Sequence, residues 1–579
     1  MNLVEGKDMK NSSVKKIYII NIIFFLIASI SIIVSNVSYD AEYQMAMGYR
    51  LLKGDTPILE MWEPNQTSAF LCAIIMKLYI SIAGTTTGIV LFINVMGYLI
   101  RVGISGFLYY RINKMAGKVP ALIACFLFIL IGPKDMLVPD YSNMEVWFST
   151  LTVLFLVEYF EKKKVWQLIM SAVSLCFGVI SYPSYIIAYF AIIVLLVKYA
   201  PKKNRDIIIY TGTCAFLGIC YVSYLLWGTD LETVMNCLSA ALAIEPTHTI
   251  SASEKIIIYV KNLGKIIGTV TGLCLAGAAA EFVTKTIQQK RTGDKVIFSK
   301  ERCMVFSWYA LLIFYVINVL RVISNGSNHY ALIFIVLLGF CKRNLLSEEQ
   351  KKVYYTGLSV GVMALLSTAL LSDQPFLQHT PFMLIAVVIS ILPLSCWYKE
   401  CKADNRLKKI FGLGVQLFLL VLVFRCVHTH IPIYGRAQVV SITQDMALIR
   451  TGPAMGIITD EIGAARQRDS YAEFQRYIKP GDTIWILGEP VDTMGYLYQD
   501  VEVGAPSVMS TPTYNEELLY YWELNPEKYP DVVIVSAGFG TLSYEMLQCE
   551  WLMNWLEEEY QAEIVIDGNY WRYYFKEAR

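Results

Sequence analysis

Five acidic side chains lie within one stretch of the chain, Tyr39 to Ser68, directly after an apolar segment at residues 17–37 that is about long enough to cross a bilayer. They are Asp40, Glu42, Asp55, Glu60 and Glu63. A loop held against a membrane has no folding reason to collect carboxylates, and ionisable groups at a membrane face indicate a functional site by default. Carboxylates in such a place can accept a proton as a general base or bind a divalent cation.

The two halves of this stretch differ in pattern. Asp40 opens a predicted amphipathic helix that runs to Lys53. Its alternative role is that of an N-cap, with Glu42 as a partner of the helix dipole. Neither role explains the second group, residues 60–63, directly before Pro64. We therefore predict that Asp40 has a function beyond capping, and we include the neighbouring Glu42 as a substrate-binding candidate.

A possible metal ligand lies in the predicted outer loop at residues 228–254. Glu245 and His248 have the i, i+3 spacing of a metal-binding helix. Pro246 disfavours a regular helix there, so a solvated loop histidine is the alternative.

Cations at the ends of apolar segments are candidates for phosphate contacts. Arg321, followed by His329 and Tyr330, could bind a phosphate group, or these could be snorkelling and interfacial residues. Arg101, deep in an apolar segment, needs an interior partner or a water-filled cavity. A polar loop could line the same cavity or be solvated: Asp135, Asp140, Asn143 and Glu145.

Composition places these residues in a membrane protein. The chain is 55% hydrophobic and 17% charged, with a mean hydropathy of +0.47, whereas soluble domains are nearer a quarter charged. A net charge of +1 gives no case for nucleic acid as a partner. The thirteen cysteines show no zinc-binding spacing and are typical of small core residues.

The apolar segments alternate with basic and with acidic or neutral connections. The positive-inside rule gives a consistent topology only if residues 68–83 do not span the membrane, so we expect them to lie along the outer surface. About thirteen spanning helices then remain in a transmembrane domain at 1–427, with the N-terminus cytoplasmic. From residue 428 the composition becomes soluble, and strands at 484–488, 532–536 and 564–566 with helices at 466–478 and 544–560 predict a small extracytoplasmic α/β domain at 428–579.

The stretch at 39–68 resembles the GT-C superfamily, the polyprenyl-phosphate-sugar-dependent glycosyltransferases that include aminoarabinose transferases and protein mannosyltransferases. The resemblance rests on Asp-x-Glu-Tyr after the first helix, Leu-Leu-x-Gly-Asp-x-Pro at the end of the next, and an acidic-Pro motif before a surface helix. It implies that Asp40 is the catalytic base and that Glu63 binds substrate or metal. It also suggests a metal contact for His248 and a phosphate contact for Arg321 with the His329–Tyr330 pair.

The chain departs from that pattern at two positions. Tyr182-Pro183 stands where many relatives have a lysine, and Pro64-Asn65 replaces the expected proline pair. Both changes concern the contacts to the donor phosphate.

The leading interpretation is an enzyme of the cell membrane that moves a sugar from a polyprenyl-phosphate donor to an extracytoplasmic glycan, lipid or protein. A divalent metal ion is the cofactor that Glu63 and His248 suggest. The alternative is a transporter or flippase of lipid-linked sugars, for which a deep site around Arg101 would be expected. A third possibility, a non-catalytic envelope scaffold, leaves the carboxylates at 39–68 unexplained.

Overall fold

The structure is a computed structural model of the 579-residue chain. It describes residues 22–34, 39–63, 65–244, 252–293, 296–320, 326–372, 374, 376–400, 405–430, 446–488, 490–509, 516–536, 550–560 and 565–576. These residues are predominantly helical up to residue 430 and combine helices with a sheet from residue 446 onward.

The helical part consists of long apolar helices joined by short turns. In chain order they are α1 (Ile22–Ile33), α2 (Tyr39–Lys53), α3 (Ala69–Ala83), α4 (Ile89–Ala116), α5 (Lys118–Leu130), α6 (Tyr141–Lys162), α7 (Val165–Ser181), α8 (Ile187–Tyr199), α9 (Lys203–Leu225), α10 (Leu231–Ile244), α11 (Ala252–Thr292), α12 (Lys300–Leu320), α13 (Gly326–Cys341), α14 (Glu348–Leu371), α15 (Leu384–Ile389), α16 (Ile391–Glu400) and α17 (Asn405–His430). The helix predicted from Asp40 to Lys53 is confirmed as α2.

Six helices in the described part of the chain are long and apolar enough to cross a membrane. A seventh results if the bent pair at 376–389 and 391–400 forms one span, and six further apolar helices are shorter. By length and composition these are the helices of a multi-pass membrane protein. The number of thirteen spans and the orientation stay predictions.

Helices α4 to α7 alternate in direction, so their ends fall at two ends of a bundle. The C-terminal parts of α4 and α6 meet through buried Arg111, whose Nη1 lies 2.6 Å from Glu158 Oε1. At the opposite end the amide of Gly88, directly before α4, donates to the carbonyl of Gly452 at 3.1 Å. We call this opposite end the capped end, because residues from 446 onward pack on it.

Helix α3 lies across the capped end. Beside its N-terminus, Thr67 Oγ1 donates to the carbonyl of Ile180, at the end of α7. Beyond its C-terminus, Thr86 Oγ1 donates to the carbonyl of Leu497 in the C-terminal segment at 2.8 Å. Residues beside both ends of α3 therefore contact the capped end, whereas the length and composition of the helix alone would allow a span. Its placement along the outer surface stays a prediction.

The predicted loop at 228–254 is wrong in its described part, because residues 231–244 form α10 and α11 begins at Ala252. Asp230 explains the start of α10, since its Oδ1 accepts the amide of Thr233 at 2.8 Å. The mostly apolar residues after Thr233 then favour the continuation of α10.

The described residues of the C-terminal segment form two small sheets and three α-helices. β1 (Met446–Leu448) pairs antiparallel with β2 (Ile458–Asp460). The larger sheet has the order β4-β3-β5-β7-β6, with β3 parallel to β4 and β5, and β7 antiparallel to β5 and β6. Its members and the helices are β3 (Thr483–Leu487), β4 (Glu502–Val503), β5 (Val532–Ser536), β6 (Val565–Asp567), β7 (Trp571–Phe575), α18 (Glu461–Tyr477), α19 (Glu516–Leu524) and α20 (Glu550–Glu559).

Burial explains which strands the sequence predicted. Every residue of β3 and β5 is buried, as expected for parallel strands with continuous apolar runs. Both were predicted, as was β6 to within one residue. The short β4 and the aromatic β7 were not predicted, and the domain boundary at 428 stays a prediction.

Candidate active site

Asp40 lies at the N-terminal end of α2, on the capped end of the bundle. Its side chain is 43% exposed, and its Oδ1 lies 3.1 Å from Nζ of Lys134. Lys134 belongs to the single helical turn at 133–135, between α5 and α6. Asp40 thus presents an accessible carboxylate that is paired with a cation from another part of the chain.

Lys134 is held in an unusual conformation beside an aromatic ring. Its φ angle is 55°, in the left-handed region that residues other than glycine rarely adopt. Its ammonium hydrogen-bonds the hydroxyl of Tyr141 and lies 4.1 Å from the centre of that ring. Burial would lower the pKa of Lys134, but Tyr141, Asp40 and Asp140 raise it above its ordinary value. The ammonium therefore stays charged at neutral pH.

Asp140 is a second carboxylate near this lysine. It is fully buried, and its Oδ1 caps α6 by accepting the amide of Asn143 at 2.8 Å. Its Oδ2 has no hydrogen-bond partner among the described residues. Burial raises the pKa of Asp140, against the opposing effect of Lys134.

An aromatic wall continues from Lys134 along the capped end. Tyr141 stacks on Tyr182 with ring centres 5.8 Å apart, and Tyr182 contacts Phe382 at 6.4 Å. His379 lies beside Phe382 at 6.2 Å. We use the name aromatic wall for Tyr141, Tyr182 and Phe382. Tyr182 is the position where relatives were expected to carry a lysine, and here a lysine from another turn lies next to its stacking partner.

Of the predicted phosphate contacts, His329 faces the end of this wall. Its Nδ1 lies 2.5 Å from Oγ1 of Thr380, the residue after His379. Tyr330 packs edge-on against Phe314 with ring centres 5.5 Å apart. Arg321 lies outside the described residues, as do Glu245 and His248.

Glu63 lies in a different environment from Asp40. It is 1% exposed, and its Oε1 accepts Nη1 of Arg50 at 2.8 Å and the amide of Val508 at 3.0 Å. Arg50 is fully buried and also donates from Nε to Oδ2 of Asp55 at 2.6 Å. Burial would lower the pKa of Arg50, but Glu63 and Asp55 raise it above its ordinary value.

Lys528 extends this network to the C-terminal segment. Its Nζ lies 2.5 Å from Oδ1 of Asp55 and 3.8 Å from Oε1 of Glu60. The second acidic group of the 39–68 stretch is thus paired with cations, one of them from beyond β4. We call Arg50, Asp55, Glu63 and Lys528 the buried ion network. The contacts in this network favour a structural role for Glu63. The catalytic role of Glu63 stays a prediction.

Asp40 and Glu63 are not brought together. Glu63 contacts Arg50, which follows Asp40 by ten positions on the same helix, so about 15 Å separates these two points along α2. Glu42 is 2% exposed and lies toward the C-terminal segment. There burial raises the pKa of Tyr498, and Glu42 raises it further. The substrate-binding role of Glu42 stays a prediction.

Metal binding through Glu63 and His248 also stays a prediction. The described residues include no group of three or more His, Cys, Asp or Glu side chains that could hold a metal ion. Glu63 Oε1 is occupied by Arg50 and Val508, whereas Oε2 has no hydrogen-bond partner in the described part of the chain.

Two cations that organise the site were missed from the sequence. Lys134 lies in a loop whose acidic and amide residues are the candidates, and Arg50 lies within the predicted amphipathic helix. A usable signal was the sequence Gly-Pro-Lys at 132–134, a turn that places a cation on the same face as the acidic stretch.

Comparison with known proteins gives structural likenesses alone. No family model matches the chain, and no curated protein matches it in sequence. The oligosaccharyltransferase of Archaeoglobus fulgidus, tethered to an acceptor peptide with an NVT sequon, aligns at 13% identity over 93% of this chain and 72% of its own, with a TM-score of 0.44. The same enzyme, AglB, in complex with an inhibitory peptide and dolichol-phosphate aligns at 12% identity over the same shares, with a TM-score of 0.42.

ArnT from Cupriavidus metallidurans bound to undecaprenyl phosphate aligns over 98% of both chains, at 10% identity and a TM-score of 0.38. One of these structures thus contains dolichol-phosphate and another undecaprenyl phosphate. With TM-scores below 0.5, these likenesses assign no activity and no site residue to this chain.

Proposed function

We propose that this protein transfers a sugar from a polyprenyl-phosphate donor to an extracytoplasmic acceptor, with Asp40 as the general base. The observation that carries the proposal is the pair formed by the accessible Asp40 carboxylate and the Lys134 ammonium, 3.1 Å apart. A base and a cation side by side suit a reaction in which a hydroxyl loses a proton while a phosphate becomes a leaving group.

The acceptor half of the reaction depends on Asp40. A sugar, lipid or protein hydroxyl is a poor nucleophile at neutral pH, and a carboxylate within hydrogen-bond reach can take its proton as the new bond forms. With 43% of its side chain exposed, Asp40 can be approached from the capped end. By contrast, the 1% exposure of Glu63 leaves little room for an acceptor beside it.

The donor half of the reaction depends on Lys134. The acceptor oxygen attacks the anomeric carbon as the bond from that carbon to the phosphate oxygen breaks, and the electron pair leaves with the phosphate. The acceptor proton passes to Asp40. A charged ammonium next to the departing phosphate stabilises the negative charge that develops there. One displacement of this kind inverts the configuration at the anomeric carbon.

The aromatic wall fits the remaining needs of such a donor. Tyr141 and Tyr182 extend from Lys134 with a flat, partly apolar surface, and aromatic side chains with a polar tip are common at membrane interfaces. The carrier chain of the donor would be accommodated in the bilayer beside the apolar helices. The acceptor would approach from the other side of the capped end.

The test is sugar transfer in membranes that contain the wild type or Asp40→Asn at matched expression. Radiolabelled polyprenyl-phosphate sugars are supplied one by one, and labelled envelope products are separated and counted. Loss of a general base should lower the rate about 10²- to 10⁴-fold. Asp469→Asn is the matched control, because Asp469 is 44% exposed, is paired with Arg468 and lies far along the chain in α18.

A wild-type rate in Asp40→Asn would overturn the proposed base. If the wild type transfers none of the donors, the rival function is tested next, by following labelled lipid-linked sugars across the membrane of proteoliposomes. If the labelled lipid-linked sugar crosses the membrane only when the protein is present, and no sugar is transferred to an acceptor, the result would favour the flippase.

A further inference from the structure

Arg101 is a buried cation in the middle of α4 that the proposed reaction does not use directly. Its side chain is 3% exposed, although α4 is one of the helices apolar enough to span a membrane. A charge in such a place is costly unless it has partners, and it is then usually tied to function.

Three hydrogen bonds of Arg101 go to one neighbouring stretch, residues 129–143. Its Nη2 donates to the carbonyl of Met136 at 2.7 Å and to Oδ1 of Asn143 at 2.5 Å, and its Nη1 donates to the carbonyl of Ile129 at 3.3 Å. Asn143 in turn donates from Nδ2 to the carbonyls of Met136 and Val138, at 3.1 and 2.9 Å. One guanidinium thus ties together the end of α5, the connecting loop and the start of α6.

Two glycines allow this loop to lie directly on α4. A Cβ atom on Gly132 would overlap the guanidinium of Arg101, lying 2.7 Å from its Cζ. A Cβ atom on Gly97, one turn earlier in α4, would collide with the backbone of Leu137, 2.9 Å from its carbonyl carbon. The loop is therefore fixed against α4 on both sides of residue 134.

Lys134 lies between these fixed points, after Gly132 and before Met136. Its left-handed backbone is one that an L-residue keeps only when the surroundings impose it. That backbone directs the ammonium to Asp40 and Tyr141. The hydrogen bonds from Arg101 to Ile129, Met136 and Asn143 hold the chain on both sides of this residue.

We propose that Arg101 is a positioning residue that, through Gly132 and Met136, holds Lys134 beside Asp40. It touches neither donor nor acceptor in this scheme and acts only by fixing the loop. The kinetic part of the test rests on the proposed function, whereas the labelling part does not.

The kinetic test uses Gly132→Ala, because removing the Arg101 charge itself could prevent folding. The added methyl displaces the guanidinium while leaving every partner in place. Gly103→Ala is the matched control. Gly103 lies in α4, the helix of Arg101, and no atom lies within 4 Å of a Cβ added there. Transfer is compared in the wild type, Gly132→Ala, Lys134→Met and the double variant.

If Arg101 acts through Lys134, each single change lowers kcat/KM at least tenfold and the double variant is no slower than Lys134→Met. Such non-additivity indicates that the two residues act as one unit. Effects that multiply in the double variant would overturn the proposal, because a general loss of stability would be independent of Lys134.

The second measurement needs no substrate. The amine of Lys134 is acetylated with a water-soluble active ester in the detergent-solubilised protein, and its labelling rate is followed by mass spectrometry. We expect faster labelling in Gly132→Ala than in the wild type, and no change in Gly103→Ala. An unchanged rate in Gly132→Ala would overturn the positioning role even if transfer is observed. If labelling is faster in Gly132→Ala than in the wild type and the wild type transfers no sugar, the positioning role is upheld while the proposed function fails.

Discussion

Asp40 and Glu63 come from one acidic stretch, yet they lie in opposite surroundings. Asp40 is 43% exposed and pairs with Lys134, which comes from another loop and is 29% exposed. Glu63 is 1% exposed and is enclosed by Arg50, Val508 and the C-terminal segment. In the sequence both are carboxylates in the stretch that follows the first apolar segment. Packing leaves Asp40 accessible to a substrate, whereas it buries Glu63 against Val508 of the C-terminal segment.

This contrast follows from desolvation. An exposed carboxylate costs little and is free to change partners during a reaction, whereas a buried one is stable only while its cation is in place. The buried ion network should therefore matter mainly to folding, and the Asp40–Lys134 pair mainly to turnover.

The largest expected effect is that of Arg50→Met, which leaves Glu63 and Asp55 buried without this partner. Breaking a buried pair from one side costs about 3–5 kcal/mol. The free energy of unfolding in mixed micelles should fall by that amount. Arg468→Met is the control, because Arg468 is 62% exposed and its solvent-screened pair with Asp469 should contribute little. Equal losses in the two variants would refute the contrast between buried and exposed pairs.

Lys134→Met should have the next largest effect, and on turnover. Removing one group that stabilises developing charge costs about 10²–10³ in kcat, while the unfolding free energy should change little because the side chain is 29% exposed. Lys134→Arg, which keeps the charge, should recover part of the rate. A Lys134→Met enzyme with normal kcat would remove the lysine from the donor half of the reaction.

Glu63→Gln separates the two roles that the sequence left open for Glu63. The amide keeps an oxygen for Val508 and Arg50 but loses the charge, so the unfolding free energy should fall by about 1–3 kcal/mol. Transfer per folded molecule should stay close to that of the wild type. A loss of transfer as large as that of Asp40→Asn, without a loss of stability, would restore the predicted catalytic role of Glu63.

Local patterns in the sequence were sufficient for the elements but not for the pairings. The helix from Asp40 to Lys53 and the strand at 532–536 could be predicted because periodicity and β-branched residues are local signals. Charge alternation predicts that α3 lies along the surface, and this placement stays a prediction. By contrast, Lys134 meets Asp40 and Lys528 meets Asp55 across large sequence separations, and no local pattern specifies such contacts.

The same limit explains why carboxylates were noticed and their cations were not. Asp40, Glu42 and Glu63 cluster in the sequence and so indicated a site. Arg50 is a single basic residue within a helix, and the Gly-Pro turn before Lys134 indicates a turn but no partner. The folded chain reveals that each cation neutralises a carboxylate.

The smallest expected effect concerns an exposed pair at the C-terminal end of α2. Lys53 Nζ lies 2.6 Å from Oδ1 of Asp500, and its hydrogen bond lowers the pKa of Asp500 below the ordinary value. A lowered pKa in the folded state means that the pair adds stability above the unfolded carboxyl pKa and loses it as the pH falls through the folded one. Because Asp500 is 68% exposed, the contribution should be about 0.2–1 kcal/mol. Unfolding measured at neutral and acidic pH should show a slightly steeper loss in the wild type than in Asp500→Asn. A loss of several kcal/mol would mean that exposure is a poor guide to which pairs hold α2 to the C-terminal segment.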